Sequence, residues 1–166
     1  AIAESLDKQV FAKFADLSGS TTSVSSLSVD DIMDRVGVLR ANKLTGPFYA
    51  VVTPGQAYNI KKALTATTAY TASGAVASSI LSNYFVAQIA GCTIIESPLI
   101  AIDGSDDAVG AVFAPGALGH AMRGTINYEA TRQAQNRATD LMITAVVGQA
   151  VLRSTYGVAL TADASL

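Results

Sequence analysis

The chain has 166 residues, 50 % of them hydrophobic, and a net charge of -2. Charged residues make up only 14 %, against roughly 25 % in an average soluble domain, so much of the surface is expected to be covered by other chains, as in obligate assemblies. No Lys/Arg cluster exceeds Lys61-Lys62 and Cys92 is the single cysteine, which argues against a nucleic-acid-gripping protein and excludes an internal disulfide or a cysteine-based zinc site.

No basic start leads into an apolar core and a small-residue cleavage site, so no signal peptide is read. The chain lacks an initiating Met and opens inside a predicted helix, so N-terminal sequence is expected to be missing. The uncharged run Ala63 to Ile95 contains repeated Thr and Ser plus Gly74, Asn83 and Gln88. It is not read as a membrane span.

Ile2, Leu6, Val10 and Phe14 recur at spacing four and predict an amphipathic helix. Leu17 to Ser20 stops it, with Gly19 suited to a cap. Thr21 to Leu27 is a Ser/Thr-rich connector. Ser28 is the expected N-cap of a second helix whose first turn holds Asp30 and Asp31 and whose stripe is Val29, Ile32, Met33, Val36 and Leu39. Phe48 to Val52 predicts a strand. Thr53-Pro54 starts a third helix running to about Ala63.

Thr65 to Gly74 is polar, and Ala75 to Ala90 returns to helical spacing before Gly91. Cys92 to Ser97 and Ala108 to Phe113 predict strands, with a turn-rich acidic loop at Asp103 to Asp107 between them. Pro115 to Met122 reads as a short helix or turn. From Arg123 to Leu166 the chain is strand-favouring. Ile126, Tyr128 and Ala130 alternate with polar residues, and the runs Leu141 to Leu152 and Gly157 to Thr161 flank Arg153 to Tyr156. This tail is expected to pair with the rest of the fold. Helices, a mixed segment and an extended tail together predict an α+β fold.

Candidate chemistry is sparse. His120 is the only histidine, and no Gly-x-Ser-x-Gly elbow accompanies it, so it reads as structural or solvent-facing. Cys92 lies in an apolar run with no visible positive neighbourhood and reads as a core thiol. Asp103, Asp106 and Asp107 are the best metal-like cluster, but they lack the spacing and terminal Glu of a calcium loop and read as a solvated turn. No glycine-rich phosphate cradle occurs. Arg123, Arg132, Arg137 and Arg153 are expected to make ion pairs with Glu129, Asp140 or a neighbouring subunit more than to grip nucleic acid.

Four segments carry a family resemblance. They are Glu4-Ser5-Leu6-Asp7 through Phe14; Val29 to Leu39 followed by Ala50-Val51-Val52-Thr53-Pro54-Gly55-Gln56-Ala57; Ile89 to Ser97; and Phe113 to Leu166, with Ala117-Leu118-Gly119, Tyr128-Glu129 and Tyr156-Gly157-Val158. Their order resembles the C-terminal two-thirds of a tailed-bacteriophage major capsid protein of the Hong Kong 97 type. The resemblance implies a peripheral domain (the end of a spine helix, a second helix and a long β-sheet) from residues 1–45 and 121–166. It implies an axial domain, a mixed sheet flanked by helices, from 46–120. The apolar stripes of the first two helices are expected to pack on one face of the tail sheet. The family's N-terminal arm and extended loop, which lace neighbouring subunits together, are absent from this sequence.

The resemblance implies a structural subunit with no catalytic, cofactor-binding or metal site. Such a subunit assembles into hexamers and pentamers of an icosahedral capsid around double-stranded DNA, contacting the DNA weakly. Its expected partners are copies of itself and a portal, with or without cement proteins, and no membrane and no small-molecule substrate. Its expected place is the virion capsid, assembled in the host bacterial cytoplasm. The alternatives are an encapsulin-type cage, and a small α+β enzyme or ligand-binding domain using His120 or the Asp103 to Asp107 loop.

Overall fold

The computed structural model describes residues 2–18, 24–66 and 88–165. The first apolar stripe forms α1, Ile2–Phe11, which tightens into a 3-10 turn over Ala12–Asp16. Ser28 opens α2, Val29–Ala41, with a capping box. Its hydroxyl accepts from the Asp31 amide at 3.3 Å, and the Asp31 carboxylate accepts from the Ser28 amide at 2.9 Å. Thr53 opens α3, Pro54–Ala66, in the same way. Gln56 N donates to Thr53 Oγ1 at 3.3 Å and Thr53 N donates to Gln56 Oε1 at 3.1 Å. Both devices satisfy amides that a helix start otherwise leaves unpaired.

Five strands form one mixed sheet. They are β1 (Phe48–Val52), β2 (Gln88–Ile89), β3 (Cys92–Glu96), β4 (Asp107–Phe113) and β7 (Gly157–Asp163), in the order β2-β3-β1-β4-β7. β1 and β3 run parallel, and every other neighbouring pair is antiparallel. One sheet edge is a two-residue strand. The other is covered where Val24 N donates to Thr161 O and Asp163 N donates to Val24 O. Both are ways of blunting an edge against unwanted pairing. Between β4 and β7 the chain makes a separate two-stranded hairpin, β5 (Leu118–Gln133) and β6 (Ala138–Val151).

The sheet buries both faces. On one, Phe48, Ala50, Val52, Val112 and Leu160 pack against Ile32, Val36 and Leu39 of α2 and Ile60 of α3. On the other, Val51 and Ala111 pack against Phe14 of the 3-10 turn and against Ile100. Gln56 is fully buried, and its Nε2 donates to Ala108 O and Ala162 O at 2.9 Å each. It ties the start of α3 to β4 and β7.

The α+β architecture expected from the element order is what forms, but the tail divides. Only β7 enters the main sheet, beside β4. The long runs before it pair with each other. The α2 stripe therefore packs on one face of the five-stranded sheet and Phe14, at the end of the first stripe, on the other, while Val10 and Leu6 lie beside the hairpin base and not on a common tail sheet. Pro115 to Met122 is a turn followed by strand, because Leu118 and Met122 pair with Val151 and Val147. α3 runs past Ala63 to Ala66. Of the helix expected over Ala75 to Ala90, residues 75–87 lie outside the described residues, and Gln88–Ile89 is a strand. Gly19 and residues 67–74 also lie outside them.

Candidate functional site

The sequence candidates for chemistry are not brought together. His120 is exposed on β5, opposite Gln149. The two line a cavity of about 60 Å³ with Val10 and Lys13. Among the described residues no carboxylate or serine lines that cavity, so they do not bring a nucleophile and an orienting acid to His120 there. Cys92 is fully buried, and burial pushes its thiol up to about 12. Such a thiol is protonated and unreactive at neutral pH.

The acidic loop is held by its own bonds. Asp103 Oδ1 accepts from Ser105 N at 2.8 Å and Asp107 N at 3.0 Å, and Ala164 N donates to Asp106 O at 2.7 Å. Among the described residues no group of three or more His, Cys, Asp and Glu side chains forms a metal-ion cluster.

The arginines behave differently from the expectation of local ion pairs. Arg153 stacks on Tyr156, 4.9 Å from the ring centroid, and donates to its hydroxyl at 2.6 Å. Among the described residues the ion pairs are Glu4–Lys8, Lys13–Asp16 and Lys61–Glu96, so Arg123, Arg132 and Arg137 pair with neither Glu129 nor Asp140. Asp140 accepts from Gln133 Nε2 instead.

What the fold does present is the hairpin. Its register sets Tyr128 opposite Ile143 and Ala130 opposite Leu141, with Asn127 opposite Thr144 and Thr131 opposite Asp140. Alternation puts the first two pairs on one face and the last two on the other. The apolar face is uncovered: Tyr128 is 61 %, Leu141 61 % and Ile143 49 % exposed. An isolated two-stranded hairpin is marginal in water without a covering layer. Here only the base is covered, where Leu118 and Val151 pack by Phe14 and where Gln149 Nε2 donates to Leu6 O of α1 at 3.0 Å.

A second surface lies across α1 from that contact. Lys8 and Phe11 form one wall of a groove of about 630 Å³, and Ile100, Ile102, Asp103 and Asp107 form another. The sequence pointed to the aspartates but not to the groove, which lies between α1 with its 3-10 turn and the segment joining β3 to β4. The hairpin's apolar residues were visible as an alternating pattern. The pattern does not tell a core-facing strand from one left bare. Among the described residues no helix is long and apolar enough to cross a membrane.

No protein-family model and no curated protein matches the chain. Solved structures do. A structure from Mycobacterium phage Che8 matches with a TM-score of 0.79 at 22 % identity, over 96 % of this chain and 58 % of the other. The capsid structure of the cyanophage P-SCSP1u matches at 0.70 and 19 %, over 97 % of this chain and 62 % of the other. The holo-SrpI encapsulin complex from Synechococcus elongatus PCC 7942 matches at 0.68 and 10 %, over 99 % and 63 %. This chain thus spans 58 to 63 % of the length of these structures. Sheet, flanking helices and projecting hairpin all fall within the matched span, and the chain has the phage major capsid protein fold.

Proposed function

We propose that the chain is a shell-forming subunit that associates with copies of itself into the hexamers and pentamers of an icosahedral capsid around double-stranded DNA. The observation that carries this reading is the long hairpin with an apolar face that the described residues leave bare, on a fold shared with capsid structures. Low charge supports it, because large near-neutral surfaces suit repeated self-association more than solitary life in water. In this reading the subunit has no catalytic role, touches DNA weakly, meets a portal, with or without cement proteins, and resides in the virion after assembly in the bacterial cytoplasm.

The domain division follows from the same reading. Packing supports an axial part built on the five-stranded sheet and a peripheral part built on α1 and the hairpin. Compared with the segments 1–45, 46–120 and 121–166, α2 and β7 move to the axial part, since both pack in its core. Negative-stain microscopy of the full-length protein tests the function. Closed shells are the expected result, and monomers alone across salt and concentration would sink it.

An encapsulin-type cage is a second reading, favoured by the match over 99 % of this chain to an encapsulin complex. The nucleic-acid content of purified particles separates the two. Shells with DNA support the capsid, and shells holding only a protein cargo support the cage.

A further inference from the structure

The hairpin and the groove lie on opposite sides of α1 and complement each other. The groove combines an apolar wall, Phe11, Ile100, Ile102 and Val109, with the carboxylates Asp103 and Asp107 and with Lys8, whose charge is paired with Glu4. Its volume of about 630 Å³ falls inside the roughly 300–1,000 Å³ of clefts that hold ligands. One face of the hairpin carries the opposite character, the register turning Glu129 and Asp140 to the other face. Near its tip are Arg132 and Arg137, exposed and in no ion pair among the described residues, and just behind them the bare pair Ala130 and Leu141.

The hairpin cannot fill the groove of its own chain. Its base is fixed beside Phe14 and Gln149 is bonded to Leu6, on the other side of α1. From Arg123 to Arg132 it extends away from the body for about 30 Å at a strand's rise per residue, with every residue of that span exposed.

We propose that the hairpin tip of a second copy of this chain docks in the groove. Arg132 and Arg137 of one copy meet Asp103 and Asp107 of the other, and Leu141 lies against Ile100 and Ile102. The contact joins two different patches, so it runs head to tail. Contacts of that kind generate closed rings when the rotation closes. The inference rests on the self-association reading and specifies where it occurs.

The test uses two singly substituted full-length proteins, Gln135→Cys at the tip and Ala101→Cys in the groove. Mixed and mildly oxidised, they form a disulfide-linked dimer that neither forms with the unsubstituted protein. Arg132→Glu with Arg137→Glu in the tip copy lowers its yield at least tenfold. Arg132→Lys with Arg137→Lys keeps it. Asp107→Lys in the groove copy restores at least half of the yield lost by the glutamate pair. Asp103→Asn, whose amide oxygen keeps the loop's two bonds, lowers the yield severalfold.

Absence of the linked dimer overturns the docking whether or not shells form. Shells without the link leave the capsid reading standing and remove this contact. The link without shells keeps the contact and removes the capsid reading. If the glutamate pair strips bound nucleic acid while leaving the link unchanged, the arginines serve nucleic acid and the proposal is wrong.

Discussion

Gly55 in the first turn of α3 lies against Ala164 just beyond β7, so close that a Cβ on Gly55 would stand 2.1 Å from the Ala164 carbonyl oxygen. This approach lets the next residue, Gln56, reach Ala108 O and Ala162 O together. Gly55→Ala forces the backbones apart and strains both bonds, at a cost of about 3 kcal/mol. Urea denaturation should show a lower midpoint at unchanged slope. A midpoint shift worth less than about 0.5 kcal/mol would contradict the geometry.

Lys61 and Glu96 form an ion pair with unequal exposure, 4 % for the lysine side chain and 33 % for the glutamate. Removing either partner is therefore not symmetric. Glu96→Gln takes the carboxylate from a buried cation and should cost about 3 kcal/mol. Lys61→Met leaves a carboxylate that water can still reach, and should cost about 1 kcal/mol. Thermal unfolding of the two variants checks the order, and equal Tm values would refute it.

The Cys92 thiol is held up at about 12 by burial alone, while an unfolded thiol ionises near pH 8.5. The folded chain thus binds more protons than the unfolded one between those values. Stability from this group is fully present below about pH 8.5 and falls as pH rises above it. Native protein at pH 8 should not react with a thiol reagent, and reaction should appear only with unfolding. Cys92→Ser should flatten the alkaline part of the stability curve.

Removing the hairpin and removing the tail should have opposite effects. If Gly124 to Ala145 is replaced by Asn-Gly, the sheet and its two cores keep their residues, so cooperative unfolding remains while self-association is lost. Truncation after Asp140 removes β7, whose Val158, Leu160 and Ala162 are buried, and cooperative unfolding should disappear. Circular dichroism melts and sedimentation of both variants measure the two properties separately.

The ends of α2 and α3 were legible because capping is local: Ser28 with Asp31, and Thr53 with Gln56, lie three residues apart. β4 and β7 were legible as apolar runs. Their pairing was not, since Val112 meets Val158 across the intervening hairpin. Leu118 was read as helix or turn because its partner, Val151, lies far along the chain. The α2 stripe announced a buried side, and Val29, Ile32, Val36 and Leu39 are buried, whereas the α1 stripe buries none of its residues before Phe14, and nothing within a stripe selects a sheet face. Tyr128 and Leu141 announced an apolar face without saying that it stays bare among the described residues.

The two ends of the hairpin leave the body side by side, where Leu152 N donates to Ala117 O at 2.8 Å. The insertion closes on itself before the sheet resumes at β7. Its length, tip charge and apolar pattern can therefore drift over generations without disturbing the two cores. The exposed surface of the hairpin and the stability of the body are thus carried by separate parts of one chain.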